Sequence, residues 1–267
     1  MIKPHIFLVA KCPPKSAIAI ALSAIAVIVT SICLISYKGD VECGIMPYTI
    51  QYANGQASPQ TDTSEKIAYL TFDDGPAKYT PQVLDILDKY EIKATFFVVG
   101  DTEYSSYMTD IVTRGHAIGL HTYSHKFEQI YRSSDAFFAD FSKIDKLVYK
   151  ETGLRSKIMR FAGGSSVRRG SSKSMMRELS TEVQARGYQY FDWNCESGDK
   201  RGVKTASGVL SRVKSTAKDA GNAVTVLMHD TEKVTVTTLP DVIEYFKQQG
   251  FTFAVLTPET PAVQHTW

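Results

Sequence analysis

The feature that most constrains the fold is an alternation of short apolar runs with helical patterns, which begins at Lys66. Each run has four to six residues and is flanked by Gly or polar residues, as buried parallel strands are. The seven runs are Ile67 to Phe72, Ala94 to Val99, Ala117 to Leu120, Ile158 to Phe161, Tyr188 to Trp193, Val224 to Met228 and Phe251 to Leu256. The intervening segments place apolar residues on one helical face, as at Leu239, Val242 and Phe246. This alternation predicts an α/β fold, either a barrel or a doubly wound sheet.

Polar residues that can do chemistry close these runs or follow them directly. In both architectures the carboxyl ends of parallel strands meet at one rim, which is where functional residues collect. We therefore expect one site from residues that are scattered over more than 150 positions: Asp73, Asp74, His121, His125, Arg160, Asp192 and His229.

Paired aspartates and a His-x3-His at strand ends are typical of a metal site with open coordination positions. A carboxylate and two imidazoles without a thiolate favour Zn²⁺ as the default ion, with Co²⁺, Mn²⁺ and Ni²⁺ as alternatives. Each motif alone has a simpler explanation, because Asp-Asp-Gly-Pro is also ordinary turn chemistry and a lone His is often a satisfied core residue. His116 matches no ligand position, and we assign it to that second group.

Residues 16–37 form an uncharged apolar stretch, long enough to cross a hydrocarbon layer of about 30 Å as a helix. A cleaved signal peptide is the alternative, but its apolar region is usually about 7 to 15 residues long and is followed by a small-x-small site. Lys3, Lys11 and Lys15 precede the stretch, so we expect residues 1–15 in the cytoplasm, residues 16–37 as one membrane span and everything after Tyr37 outside the cell. Residues 38–65 are rich in Gly, Ser, Thr, Gln and Asn and predict a linker.

The charge distribution excludes one class of partner. Four lysines are the only charged residues before Asp40, which leaves 26 basic and 28 acidic residues in the body of the protein. A nearly neutral body gives no indication of nucleic-acid binding, and nothing in the sequence implies a protein partner. Of the four cysteines, only Cys43 and Cys195 are expected outside the cell, either as a disulfide or as two free thiols.

The motifs, taken in order, resemble those of the polysaccharide deacetylases, the carbohydrate esterase family 4 with the NodB homology domain. They are Thr71-Phe72-Asp73-Asp74-Gly75-Pro76, His121-Thr122-Tyr123-Ser124-His125, Arg160-Phe161-Ala162-Gly163-Gly164, Asp192-Trp193 and Leu227-Met228-His229. The resemblance implies a distorted (β/α) barrel of about seven parallel strands over residues 66–258, followed by a C-terminal tail, 259–267. It also implies metal-dependent N-deacetylation of a cell-surface polysaccharide.

The resemblance assigns Asp74, His121 and His125 as metal ligands. Asp73 would be the general base for a water that attacks the acetyl carbonyl, and Arg160 would fix that base.

The resemblance further implies that His229 protonates the leaving amine and that Asp192 orients the His229 imidazole. Trp193 and Leu227 would line the pocket for the acetyl methyl group, and the backbone N–H of Gly163 would help to hold the oxyanion.

The third motif departs from the family pattern, because Ala162 stands where it usually has Pro and Gly163 where it usually has an aromatic residue. Loss of Pro frees the backbone φ angle there, so we expect an effect on rate and substrate preference rather than on reaction type. Peptidoglycan is the expected substrate of a membrane-anchored enzyme, with chitooligosaccharide, N-acetylmuramic acid and O-acetylated xylan as alternatives. A catalytically inactive wall-binding homologue is the alternative from another functional class.

Overall fold

The computed structural model describes residues 65–266. The predicted transmembrane segment 16–37 and nearly all of the predicted linker lie outside this range. Within residues 65–266, no helix is long and apolar enough to cross a membrane.

The described residues contain eight strands and seven helices. The strands are β1 (Ile67–Asp73), β2 (Thr95–Val99), β3 (Ala117–Thr122), β4 (Ile158–Met159), β5 (Gln189–Tyr190), β6 (Cys195–Glu196), β7 (Ala223–His229) and β8 (Thr252–Phe253). The helices are α1 (Thr80–Lys89), α2 (Tyr107–Thr113), α3 (Phe127–Ile130), α4 (Ser134–Thr152), α5 (Lys173–Ala185), α6 (Ala206–Ala217) and α7 (Lys233–Gln248).

The strands form one parallel sheet in the order β5-β4-β3-β2-β1-β7-β6, and β8 pairs with the start of β1. The register places Asp73 at the end of β1 beside His229 at the end of β7. The predicted α/β fold with about seven parallel strands is therefore confirmed.

The sheet is curled into an incomplete barrel. In a flat sheet, β4 and β1 would lie about 14 Å apart, since neighbouring strands are about 4.8 Å apart. Yet Arg160, which follows β4, donates from Nη1 to Thr71 Oγ1 in β1 over 2.8 Å. The edge strands β5 and β6 are also joined only by residues 191–194. Such a short connection requires that the two edges of the sheet approach each other.

Alternation along the strands separates two apolar clusters. The larger cluster lies between the outer face of the sheet and the helices, and it contains Leu70, Phe72 and Val226. The smaller one fills the interior with Phe97, Ala117, Ile158, Phe191 and Leu256. The interior is therefore packed below the rim, and the polar residues of the inner face gather at the carboxyl ends of the strands.

Four elements were not predicted from the sequence: helices α2, α3 and α5 and strand β6. Helices α2 and α3 are short, and α5 buries Met176, Leu179 and Val183 although its composition is more polar than that of the other long helices. Strand β6 has only two residues, too few for a periodic signal. Its Cys195 is a buried thiol with Sγ 3.3 Å from Thr216 Oγ1, and since Cys43 lies outside the described residues, their pairing stays a prediction.

Candidate active site

Three side chains from two strand ends converge on one point. Asp74 follows β1, while His121 lies in β3 and His125 follows it. Oδ1 of Asp74 lies 3.3 Å from His121 Nε2 and 3.0 Å from His125 Nε2. One ligand atom from each of the three residues lies within 4.8 Å of the other two. These are the three predicted ligands, and the fold brings them together.

A backbone carbonyl orients the His121 imidazole, and a hydroxyl group holds the backbone of His125. His121 Nδ1 lies 2.8 Å from the carbonyl oxygen of Arg160, so a proton on Nδ1 leaves Nε2 directed at Asp74. His125 has a positive φ of 53°, and its backbone N–H donates to Thr122 Oγ1 over 3.1 Å. Metal-binding histidines commonly have such a partner on the second ring nitrogen, because it fixes the ring and the tautomer.

Asp74 is held as a carboxylate. Burial raises the pKa of Asp74, but hydrogen bonds and charge interactions with His121 and His125 outweigh it and hold the pKa well below its usual range. Its Oδ2 atom also forms an ion pair with the half-exposed Lys200. An ionised carboxylate among imidazole nitrogens is what a divalent cation requires.

The donor set fits a divalent metal ion. Two imidazole nitrogens and one carboxylate oxygen match catalytic sites that keep a coordination position open. The supporting contact from Arg160 to His121 is also of the kind that such sites use. Zn²⁺, Co²⁺, Mn²⁺ and Ni²⁺ all accept these ligand types, and the donor set does not choose among them.

Asp73 lies beside this cluster and is fixed by Arg160. Arg160 Nη1 donates to Asp73 Oδ1 over 2.7 Å, and both side chains are buried. The guanidinium is held in turn by Thr71 Oγ1 and by the carbonyl oxygens of Phe191 and Asp192. The predicted contact between Arg160 and Asp73 is present. The other Asp73 oxygen, Oδ2, lies 4.0 Å from His121 Nε2 and therefore faces the metal-binding cluster.

His229 is supported by Asp199, and the expectation that Asp192 would do this is wrong. Oδ1 of Asp199 lies 2.8 Å from His229 Nδ1, and Oδ2 accepts from the His229 backbone N–H over 2.7 Å. Thr235 Oγ1 also donates to Asp199 Oδ2 over 2.6 Å. The cause of the error is strand order: Asp199 follows β6, which neighbours β7, whereas Asp192 follows β5 at the far edge of the sheet.

These contacts shift both pKa values. Burial lowers the pKa of His229, but the hydrogen bond and charge of Asp199, together with the charges of Asp73 and Asp74, raise it above its ordinary value. Burial raises the pKa of Asp199, while its contacts with His229 and Thr235 lower it overall. The pair therefore favours an imidazolium beside a carboxylate.

Asp192 instead contacts the segment that contains the third motif and the C-terminal segment. Its carboxylate accepts from Ser165 N, Ser165 Oγ and His265 N. Trp193 next to it is half-buried and packs edge-on against the His265 ring.

The other two predicted pocket residues lie on different elements. Leu227 is buried on the inner face of β7, two residues before His229. Gly163 is exposed, has a positive φ of 77°, and its backbone N–H makes no hydrogen bond within residues 65–266. An exposed N–H without a hydrogen bond in the described residues is available to a ligand oxygen.

Comparisons with known proteins identify the family. The profile described as "Polysaccharide deacetylase" matches residues 60–185. The catalytic domain of a peptidoglycan N-acetylglucosamine deacetylase from Eubacterium rectale is 38% identical, covering 79% of this chain and 95% of that domain with a TM-score of 0.72. The chain belongs to the polysaccharide deacetylase family. It is therefore a hydrolase that acts on N-acetyl amide bonds.

Two further relatives of this polysaccharide deacetylase are known from sequence. A peptidoglycan-N-acetylglucosamine deacetylase of Bacillus cereus is 28% identical over 209 residues, 76% of this chain and 73% of the relative. The putative polysaccharide deacetylase YheN of Bacillus subtilis is 30% identical over 197 residues, 72% of this chain and 67% of the relative.

Sequence reasoning missed three residues of the deacetylase site: Asp199, Lys200 and His265. Asp199 and Lys200 follow a strand that is too short to show a pattern. His265 lies in the predicted tail, yet its ring contacts Trp193. An acidic residue among Gly and Ser shortly before a helix was the available signal for Asp199, and it is a weak one.

Proposed function

We propose that this enzyme removes acetyl groups from N-acetylglucosamine residues of peptidoglycan by metal-dependent hydrolysis. The observation that carries the proposal is the arrangement of two groups around one metal-binding cluster. Asp73, which Arg160 fixes, lies beside the cluster, and so does His229, which Asp199 supports. A base and an acid beside one electrophilic centre are what hydrolysis of an amide requires.

Asp74, His121 and His125 would hold the metal ion, for which Zn²⁺ is our first choice. When bound, the ion supplies Lewis acidity that polarises the acetyl carbonyl and makes a water molecule more acidic. The side chains of the protein carry the proton transfers.

Asp73 acts as the general base through Oδ2. Because Oδ1 is occupied by the 2.7 Å contact with Arg160, the carboxylate is fixed with Oδ2 toward the cluster. Oδ2 takes a proton from water as the water oxygen bonds to the acetyl carbon.

His229 acts as the general acid through Nε2. Its Nδ1 is held by Asp199, while Nε2 lies 3.9 Å from Asp74 Oδ2 and so faces the cluster. When the C–N bond breaks, Nε2 gives its proton to the sugar nitrogen. Acetate and the free amine are the products.

The backbone N–H of Gly163 donates to the oxyanion of the tetrahedral intermediate. Such a donor stabilises the transition state more than the bound substrate, because the negative charge develops only during attack. Trp193 and Leu227 border the space for the acetyl methyl group.

The proposed substrate is supported by the relatives. The proteins from Eubacterium rectale and Bacillus cereus are named for peptidoglycan N-acetylglucosamine. Other relatives are named for different sugars: one from Bacillus subtilis for peptidoglycan N-acetylmuramic acid, and one from Pseudobutyrivibrio xylanivorans as a bifunctional xylanase/deacetylase.

Attachment to the cell membrane through residues 16–37 is also part of the proposal. An apolar stretch of this length would keep the catalytic domain beside the wall polymer on the outer face. Fractionation of cells that produce the full chain tests it: protein in the membrane fraction that only detergent releases is expected, and secreted protein cut after the stretch would contradict it.

A substrate panel tests the proposed specificity. The metal-loaded full chain is incubated with peptidoglycan, chitooligosaccharide and O-acetylated xylan, and the products are analysed by tandem mass spectrometry. We expect loss of acetyl groups from the glucosamine residues of peptidoglycan. Loss from muramic acid alone, or from xylan alone, would overturn the assignment of the substrate.

A further inference from the structure

The segment between β4 and α5 contains the third motif and, within it, the proposed oxyanion donor. We call residues 162–166 the glycine loop. Its two glycines both have positive φ, 77° at Gly163 and 82° at Gly164. Two consecutive residues in this conformation give little intrinsic rigidity, because Gly loses the most freedom on folding. The position of the Gly163 N–H therefore depends on contacts at both ends of the loop.

The first end is fixed by Tyr131. Its hydroxyl donates to the carbonyl oxygen of Ala162 over 2.8 Å, and both residues are buried.

The second end is fixed by the Asp192 carboxylate. Oδ1 accepts from the Ser165 backbone N–H over 2.7 Å, and Oδ2 accepts from Ser165 Oγ over 2.5 Å. Asp192 and Ser165 are both fully buried. Gly164 lies directly against this contact, since a Cβ placed there would be 3.1 Å from Asp192 Oδ1 and 3.0 Å from the Trp193 ring.

The C-terminal segment completes the coordination of this carboxylate. The His265 backbone N–H donates to Asp192 Oδ2 over 2.7 Å, and the Asp192 backbone N–H donates to Val263 O over 2.7 Å. The His265 ring then packs against Trp193, with Nε2 2.9 Å from the Trp193 carbonyl oxygen. Val263 and His265 thus contact Asp192 and Trp193, the second of which we propose as a border of the acetyl pocket.

Burial explains why three donors are needed. A carboxylate without solvent is costly unless hydrogen bonds replace the lost water, and donors that favour the charged form meet this need. Arg160 contacts only the backbone carbonyl of Asp192, so the carboxylate depends on Ser165 and His265. Removal of one donor would weaken the attachment of the glycine loop and of the C-terminal segment together.

We propose that Asp192 is a positioning residue: it joins Ser165 to the backbone of His265 and so sets the place of the Gly163 N–H that receives the acetyl oxyanion. This inference rests on the proposed deacetylation. It assigns a function to Ser165 and to the C-terminal segment, neither of which contacts the metal ligands in the described residues. Because an oxyanion contact acts in the transition state, the effect belongs in kcat rather than in KM.

Ser165→Ala and a pair of His265 variants test the contact. Ser165→Ala removes the Oγ donor. His265→Pro removes the backbone N–H, whereas His265→Ala keeps that N–H and removes only the ring. The matched control is Ser156→Ala, because Ser156 is also buried and its Oγ donates to Ile118 O over 2.7 Å, away from the loop.

The expected result is a fall in kcat of about 10- to 100-fold for Ser165→Ala, smaller than the loss of a whole oxyanion donor. KM should stay within about threefold, and the metal content should be unchanged. The kcat of His265→Pro should be lower than that of His265→Ala. Ser156→Ala should lower the unfolding temperature as much as Ser165→Ala does, with kcat unchanged.

Hydrogen exchange of the backbone amides around residues 160–167 gives a second readout that needs no activity. We expect faster exchange in Ser165→Ala and His265→Pro than in the wild type and in Ser156→Ala. Unchanged exchange would overturn the proposed attachment, and faster exchange with an unchanged kcat would overturn the positioning role. An inactive wild-type protein would instead contradict the proposed function, and the exchange data would still decide whether Asp192 fixes the loop.

Discussion

The partly buried imidazole of His229 and the buried carboxylate of Asp199 form a pair, with Nδ1 and Oδ1 2.8 Å apart. A second contact, from the His229 backbone N–H to Asp199 Oδ2, holds the same carboxylate over 2.7 Å. Asp199 therefore fixes both the ring and the backbone of the residue that we assign as general acid.

Replacement of Asp199 by Asn should shift the alkaline limb of the pH profile. Burial lowers the pKa of His229, and Asp199 contributes most of what raises it above its ordinary value. The acid acts only when protonated, so activity is present below this pKa and is lost as the pH rises through it. Without the Asp199 charge the limb should move to lower pH, and kcat should fall by at least about tenfold.

The profile of kcat against pH is measured on metal-loaded protein, with the exposed Asp219→Asn as a control. If the alkaline limb of the Asp199→Asn profile lies at the same pH as in the wild type, Asp199 has no part in the mechanism.

His125→Ala should abolish metal binding while leaving the fold intact. The ligand set loses one of its three members, and the ion in such a site serves catalysis rather than folding. Elemental analysis after desalting measures the metal content. The control is His116→Asn, since His116 is buried and its Nδ1 accepts from the Ala94 N–H, away from the cluster. Full metal content in His125→Ala would contradict the ligand assignment.

Gly75→Ala should displace the turn that carries the two catalytic aspartates. A Cβ at this position would lie 2.2 Å from both carboxylate oxygens of the buried Asp230. We expect a loss of about 1–3 kcal/mol in the free energy of unfolding, as for other overpacked sites, together with weaker metal binding.

The double variant Gly75→Ala with Asp230→Ala checks the cause. Burial raises the pKa of Asp230 to about 7, and Thr80 Oγ1 is within 2.5 Å of its Oδ2, so Asp230→Ala has its own cost. If the clash is responsible, urea unfolding should show that the double variant loses less than the sum of the two single variants. Additive losses in the free energy of unfolding would argue against the clash as the cause.

Ala162→Pro restores the residue that the third motif usually has, and it should raise kcat by roughly severalfold, which is about 1 kcal/mol. The Ala162 backbone N–H makes no hydrogen bond within residues 65–266, so Pro removes none there. Its fixed φ would make the adjacent Gly163 donor better ordered, which favours the transition state over bound substrate. A higher kcat with an unchanged KM in steady-state kinetics would support this effect of Pro. Loss of activity in a folded, metal-loaded variant would mean that the loop follows a path incompatible with Pro.

The sequence predicted the site residues that end or follow an apolar run, including Arg160 after the short strand β4, and missed those after β6, which has no such run. Asp73, Asp74, His121 and His229 could be grouped because their strands have six or seven residues and the carboxyl ends of parallel strands meet. Asp199 was missed because β6 has two residues. We expected Asp192 to contact His229, and this was wrong because the order of strands along the chain does not reveal their order in the sheet.

The central claim is that Asp73 is the base for hydrolysis at the Asp74, His121 and His125 cluster. The most direct measurement is acetate release from peptidoglycan by the wild-type full chain and by Asp73→Asn, each with its metal content determined in the same sample. We predict acetate release by the metal-loaded wild type, its loss on chelation and its return on adding metal. Asp73→Asn should keep the metal and lose at least about 100-fold in rate, as the removal of a general base commonly does. Release by Asp73→Asn at the wild-type rate, or undiminished release by chelated wild-type protein, would contradict the account.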